Sequence, residues 1–455
     1  MVAIEWTNPS VKQLAGNSDP IEVIVEKTRT LILDAIDNGW QGPPFNPFTL
    51  AQWLGFSIVP REDIRDARLV TKPDKVEIEY NPNRSRSRIR FSIAHEIAHT
   101  LFPYYAESMH NRSGEAQRPD DWQLELLCNI SAAEILMPVG PSFNQEKFSI
   151  TLDIAIKVRN KFEVSMESAL LRLGKLTSQP ITVFAASRER DDKNADYRID
   201  YAVNSPTSSV NLMGGMRIPS GSILSECTAI GFTAKGKEKW FTEFPEFDVE
   251  CVGVAPYPNN TYPRVLGIIQ TKKKTGPEPP AIRYLIGDAT DPRGDGQKII
   301  AHIVHDKSYK WGKGFGFAIT KKWPKVRNNF RDWIKNNKKN LELGNSLLFR
   351  ASEDISIFSM IAQQGYGSSR QPRIRYQALS ACLASLLKES HRLSATVHMP
   401  RIGTGYAGGN WNIISELIEE SLTKQGIEVT VYDLPGRERI KKSQNLLDFI
   451  NPFVS

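Results

Sequence analysis

The segment His95-Glu96-Ile97-Ala98-His99 sits inside an apolar run from Phe91 to Phe102. The run reads as a helix, and side chains four residues apart on a helix share a face. His95 and His99 can therefore offer two imidazoles to one metal ion. Glu96, one step round the turn, can address a water beside that ion. The chain has only seven histidines, so two at this spacing with a glutamate in second place form a specific signal.

A zinc hydrolase needs a third protein ligand and one open position. A second helix is expected from Asp121 to Met137, closed by Pro138. It offers Glu125 and Glu134. Asn129, four residues after Glu125, shares its face and could steady a neighbouring ligand. Glu134 lies nine residues after Glu125, about half a turn out of phase, so one helix does not aim both at one ion. Spacing alone leaves the choice open.

The run Arg90-Phe91-Ser92-Ile93-Ala94-His95-Glu96-Ile97-Ala98-His99, followed by Glu125-Leu126-Leu127-Cys128-Asn129-Ile130-Ser131-Ala132-Ala133-Glu134-Ile135-Leu136-Met137-Pro138, resembles the ImmA/IrrE family of metallopeptidases. The likeness extends over roughly residues 20–175, including the stretches Phe162 to Ser165 and Ala169 to Leu173. It implies a gluzincin-like fold with Zn2+ held by His95, His99 and Glu125, and with Glu96 as general base. It also implies a protein substrate, a repressor or a partner encoded nearby. Cys128 stands where the family usually has Ala, and Ser131 where it usually has Phe. Neither is expected to touch the chemistry. His110, Tyr104 and Tyr105 are candidates for stabilising an oxyanion, with nothing in the sequence to fix their direction.

Around this motif, Ile21 to Ile36 reads as a helix and Leu50 to Leu54 as a short one. Phe56 to Pro60 and Val76 to Tyr80 read as strands, and the free edge of the second could hold an extended peptide. Arg84, Arg86, Arg88 and Arg90 precede the motif. They read as a solvated lead-in to the helix or, more sharply, as a contact for an acidic partner. Residues 103–120 read as a loop beside the site.

With 455 residues, two to four domains are expected. Hydrophobic content of 40% and charged content of 24% are ordinary for a globular protein. No apolar run reaches membrane-spanning length, and Met1 to Trp6 does not resemble a secretory signal. The four cysteines lie far apart without a C-x-x-C pair, which fits reduced thiols and a cytoplasmic location. A net charge of +7 permits contact with nucleic acid without demanding it.

Residues 178–275 read as a small β-rich unit, sensory or structural. Strands are expected at Ile181 to Ala185, Ile223 to Phe232, Lys239 to Glu243, Val249 to Ala255 and Val265 to Thr271. The charged, proline-rich stretch Lys272 to Pro280 reads as a linker.

From Ala281 strands alternate with helices. Two strands end in glycine-rich loops that open helices: His305 to Gly316, and Arg401 to Trp411. Such loops let backbone N–H groups approach a phosphate closely, so a pair of them points to a diphosphate ligand. Strand–loop–helix repeats imply a largely parallel sheet with helices on both faces. The basic, tryptophan-bearing stretch from Lys321 to Lys339 reads as a helix that could touch nucleic acid or, more simply, as a solvated face whose aromatics pack on that sheet.

Gly287-Asp288-Ala289-Thr290 and the run from Met399 to Trp411 resemble a macrodomain, most closely the branch with terminal ADP-ribose glycohydrolase. The likeness covers about residues 281–437. It implies ADP-ribose contacts at Asp288 and Ala289, at Gly312, Lys313, Gly314 and Phe315, and at Gly403, Thr404, Gly405 and Tyr406. Residues 363–370 lack the lysine that the glycohydrolase uses, so this part is expected to bind first and catalyse second. His302, His305 and Asp306 could support another hydrolysis, or simply pack at a strand end.

The expected architecture is thus multidomain, α+β and α/β. A gluzincin-like metallopeptidase is expected over 1–177, a β-rich unit over 178–275, an α/β/α macrodomain over 276–440 and a tail over 441–455. The expected function is a zinc-dependent, site-specific endopeptidase controlled or targeted by ADP-ribose or an ADP-ribosylated molecule. The alternative is a macrodomain hydrolase with the peptidase fold as a binding module. No membrane partner is expected.

Overall fold

The computed structural model describes residues 6–72, 75–103, 105, 120–138, 149–177, 179–189, 192, 194–205, 207–257, 260–271, 281–307, 311, 313–336, 341–367, 369 and 371–435. The expected linker at 272–280, the tail at 441–455, Tyr104, His110 and Gly312 lie outside them.

The first three helices are α1 (Pro9–Ala15), α2 (Pro20–Asp37) and α3 (Pro47–Trp53). Each begins with proline after an asparagine or aspartate whose side chain accepts first-turn N–H groups, a strong start signal. Helix α2 has two apolar faces. Ile24 and Thr28 are fully buried, and Ile32 and Ala35 nearly so, while Leu33, also buried, belongs to the core of the C-terminal sheet.

Three strands follow: β1 (Ser57–Pro60), β2 (Ala67–Lys72) and β3 (Lys75–Tyr80), in the order β1-β3-β2. The expected free edge on Val76 to Tyr80 is therefore corrected. β3 is central, parallel to β1 and antiparallel to β2, so both its edges are taken.

Helix α4 (Arg86–His99) carries the histidines and begins inside the arginine run. These arginines are not a bare solvated lead-in. Arg88 and Arg84 pair with Asp66, and Arg86 pairs with Glu163. Arg90, 4% exposed, donates to the carbonyls of Phe45, Phe162 and Glu163. Helix α5 (Asp121–Leu136) packs along α4 and α2. Helices α6 (Leu152–Phe162) and α7 (Met166–Leu176) complete this part.

A five-stranded antiparallel sheet follows, in the order β5-β4-β8-β7-β6. Its strands are β4 (Ile181–Arg188), β5 (Tyr197–Asn204), β6 (Thr233–Glu238), β7 (Phe247–Val254) and β8 (Arg264–Gln270). Two expected strands are corrected. Ile223–Glu226 is a 3-10 turn, and no strand covers Lys239 to Glu243. The sheet has two apolar faces. Ile181, Val183, Ala185, Leu266 and Ile268 pack on the helices before it, and Phe184, Val249, Cys251 and Ile269 face a second core.

The last part is a six-stranded sheet in the order β11-β12-β10-β13-β14-β9, formed by β9 (Arg283–Ile286), β10 (Lys298–His305), β11 (Ser346–Arg350), β12 (Ile355–Gln363), β13 (Thr396–Pro400) and β14 (Val429–Asp433). Only β11 runs antiparallel. Helices α8 (Gly314–Lys322) and α9 (Pro324–Asn336) cover one face. Helices α10 (Tyr376–Leu393) and α11 (Trp411–Ser421) cover the other. On α9, Phe330 is fully buried and Trp333 packs against the same core, so its basic residues form the outer face.

Candidate functional site

Helices α4 and α5 cross so that three side chains converge. His95 Nε2 lies 3.0 Å from Glu125 Oε2, and His99 Nε2 lies 3.7 Å from Glu125 Oε1. The two imidazole centroids are 4.9 Å apart. His95 Nδ1 lies 3.0 Å from Asn129 Oδ1. An amide oxygen only accepts, so Nδ1 carries the proton and Nε2 is the nitrogen left for a metal. Burial opposes charge on His95, but the hydrogen bond to Glu125 and the charges of Glu96 and Glu125 outweigh it and raise its pKa. Two carboxylates thus draw positive charge to this point. Glu96 is buried beside it, at 8% exposure.

Glu134 is held elsewhere, in an ion pair with Arg172. Cys128 was expected to stand clear of the chemistry, and here the structure corrects the reading. Its Sγ lies 3.4 Å from His99 Nδ1, and the donor atoms of His95, His99 and Cys128 lie within 4.8 Å of one another. Sulfur is a competent zinc ligand. Yet Sγ faces the Nδ1 side of His99, whereas both Nε2 atoms face Glu125, so Cys128 is better placed to orient His99. Its signal was in the sequence: it lies one residue before Asn129 and three after Glu125, on their side of α5. Two imidazoles and a carboxylate, with the far nitrogens of both rings occupied, fit a zinc ion. Tyr105, one of the oxyanion candidates, is partly buried against the surrounding core.

The second site forms where the chain changes direction across the six-stranded sheet. From β10 it proceeds to β12 on one side, then returns through α10 to β13 on the other. The crevice between the carboxyl ends of β10 and β13 is a switch point, where open α/β sheets bind ligands. Both glycine loops leave those ends. Lys313 precedes α8, Gly314 has φ +63°, and Phe315 packs beneath. In the second loop, Gly403 has φ +73°, a conformation that other residues rarely adopt, and a Cβ there would stand 2.9 Å from Ile414. Thr404 Oγ1 donates to Arg401 O, Gly405 has open space where a Cβ would be, and Tyr406 is 76% exposed. Asp288 follows β9, which is parallel with β14, so it emerges at the same end of the sheet. There it accepts the Thr290 N–H, next to the buried Ala289.

The neighbouring histidines divide. His302 is buried, bonded to Ser359 Oγ at 2.8 Å and edge-on to Trp311, and burial pushes its pKa down to about 3. It is a neutral packing residue. His305 faces Tyr366 at 5.2 Å, and Asp306 accepts the Gly365 N–H at 2.7 Å.

The fold and these two sites describe a helical unit whose helix pair brings His95, His99 and Glu125 together, and a three-layer α/β unit with two glycine-rich loops at one end of its sheet. Residues 59–174 match the family described as the IrrE N-terminal-like domain. A macrodomain protein from Streptomyces coelicolor is 37% identical, with 33% of this chain covering 98% of that one at a TM-score of 0.30. An ADP-ribose 1''-phosphate phosphatase from Lodderomyces elongisporus is 26% identical over 161 residues, 33% of this chain and 99% of that protein. A chromodomain-helicase-DNA-binding protein 1-like from Danio rerio is 34% identical over 161 residues, which span only 15% of its length. Residues 59–174 thus carry an IrrE N-terminal-like domain, and the C-terminal third of the chain is similar to macrodomain proteins. No helix among the described residues is long and apolar enough to cross a membrane.

Proposed function

We propose that this chain is a cytoplasmic zinc-dependent endopeptidase that cuts a regulator or partner protein, and that its macrodomain controls or targets the cut by binding ADP-ribose or an ADP-ribosylated molecule. The observation that carries the reading is the convergence of His95 Nε2, His99 Nε2 and Glu125 beside the buried Glu96. A bound zinc ion would supply Lewis acidity for a water molecule and a peptide carbonyl. Asn129 and Cys128 hold the two rings so that their Nε2 atoms face Glu125. Glu96 takes the proton of the attacking water and returns it to the leaving amine.

For the macrodomain, support comes from loops at one switch point and from the relative that acts on an ADP-ribose phosphate. That relative also favours a second reading, in which the macrodomain is itself a hydrolase.

Co-expression of wild type and Glu96→Gln with products of neighbouring genes tests the peptidase. A fragment that appears only with wild type supports it. The same fragment from Glu96→Gln refutes it. Release of phosphate from ADP-ribose 1''-phosphate by Glu96→Gln would establish the second reading.

A further inference from the structure

Helix α2 belongs to the peptidase part, yet it touches the machinery of both sites. Its last residue, Asp37, accepts the backbone N–H groups of Tyr376 at 3.0 Å and Gln377 at 3.3 Å. These are the first two residues of α10, whose own preceding residue, Arg375, provides no side-chain cap. A helix start needs acceptors for its exposed N–H groups. Here the acceptor comes from a residue 339 positions earlier in the chain.

The start of α10 in turn holds the second glycine loop. The Asn410 N–H donates to Tyr376 Oη at 2.8 Å. The N–H groups of Arg373 and Ile374 both donate to Ala407 O, at 2.7 and 3.1 Å. These three bonds tie the loop that contains Gly403 to Tyr406 to the very turn that Asp37 caps. A second anchor joins Arg29 of α2 to Glu420 of α11, the helix that opens at the end of the same loop. Between them Leu33 is buried in the macrodomain core.

On its other face α2 is fastened to α5. Thr28 Oγ1 and Ser131 Oγ lie 2.8 Å apart and both residues are fully buried. The single Thr28 hydroxyl hydrogen faces two acceptors, Ser131 Oγ at 2.8 Å and Ile24 O at 2.7 Å. Helix α5 carries Glu125 and Asn129. A single helix therefore spans from the helix that carries Glu125 to the turn that holds the glycine loop.

We infer that Asp37 is a positioning residue for the macrodomain's second glycine loop, and that α2 makes metal binding at His95, His99 and Glu125 and ADP-ribose binding at that loop mutually dependent. This rests on the reading of the two sites given above. Coupling between sites is reciprocal, so it is measurable from either side. The contacts on α2 give the two sites a contiguous chain of packed and hydrogen-bonded groups along which such coupling can travel.

The test is calorimetric titration of ADP-ribose into full-length protein, zinc-loaded and then chelated, for wild type, Asp37→Ala, Asp37→Asn and Thr28→Val. Wild type should show a change in ADP-ribose affinity of about fivefold or more between the two metal states. Asp37→Ala should bind ADP-ribose about tenfold more weakly and lose the dependence on zinc. Asp37→Asn, which keeps a capping oxygen, should restore most of the affinity. Thr28→Val should keep wild-type affinity in the chelated protein and lose the dependence. Equal affinity in both metal states of wild type overturns the inference, as does undiminished zinc dependence in both Asp37→Ala and Thr28→Val. If wild type binds no ADP-ribose in either state, or takes up no zinc, the reading of that site falls, and the inference with it.

Discussion

Among single residues, Asn129 and Cys128 separate orienting a ligand from being one. Each touches a histidine on the nitrogen that faces away from Glu125. Replacing Asn129 by Ala should leave the zinc site formed but weaken metal affinity about 10- to 100-fold, measured by competition with a chromophoric chelator. Cys128→Ala should leave about one zinc per chain, because the sulfur is placed beside the metal position as a partner of His99. Loss of zinc in that variant would make Cys128 a ligand. Which glutamate joins the histidines was not decidable from spacing. Both lie on one helix at similar exposure to a sequence reader, and it is Arg172, far along the chain, that occupies Glu134. Asn129 was legible because the i, i+4 relation is local. The place of Cys128 three residues after Glu125 put it on the same side of the helix, but only the crossing of α4 and α5 brings its sulfur to His99.

At the level of helices and strands, the arginine run shows how one pattern can hide two environments. Arg90 is buried against three carbonyls, while Arg86 and Arg88 are exposed. Arg90→Met should destabilise the protein by about 2–4 kcal/mol in a denaturant titration, because it leaves the carbonyls of Phe45, Phe162 and Glu163 without their donor. Arg88→Met should cost under about 1 kcal/mol, as exposed ion pairs do. Long periodic helices and the buried strands β7, β8, β10, β12 and β13 were readable from apolar pattern. The edge strand β6 was not. It reads Thr-Ala-Lys-Gly-Lys-Glu, polar as an edge strand is, and the apolar stretch before it folds as turns instead. Strand β2 is the antiparallel edge of its own sheet, with exposed Arg68 and Lys72 at intervals that blur the alternation.

Across the whole molecule, the parts meet through charge as well as apolar packing. Glu416 on α11 has a buried Oε2, and burial together with Glu420 pushes its carboxyl up to about 8, against the opposing pull of Arg172 and Arg29. A folded-state pKa above the unfolded value means that the folded protein holds the proton more tightly. This stabilisation is complete below the ordinary glutamate range and is lost as pH rises toward 8. Wild type should therefore lose stability across that window, by up to ~1.4 kcal/mol per pH unit. Glu416→Gln should be flatter and more stable than wild type at pH 8, as followed by urea midpoints at several pH values. None of this was visible in the sequence, because α2, α7 and α11 are distant along the chain. The metal centre underlies the proposed chemistry, and metal analysis of purified full-length protein reads it without a substrate. About one zinc per chain is expected in wild type and Glu96→Gln, and far less in His95→Ala and Glu125→Ala. Wild type without zinc, or Glu125→Ala with a full complement, would contradict it.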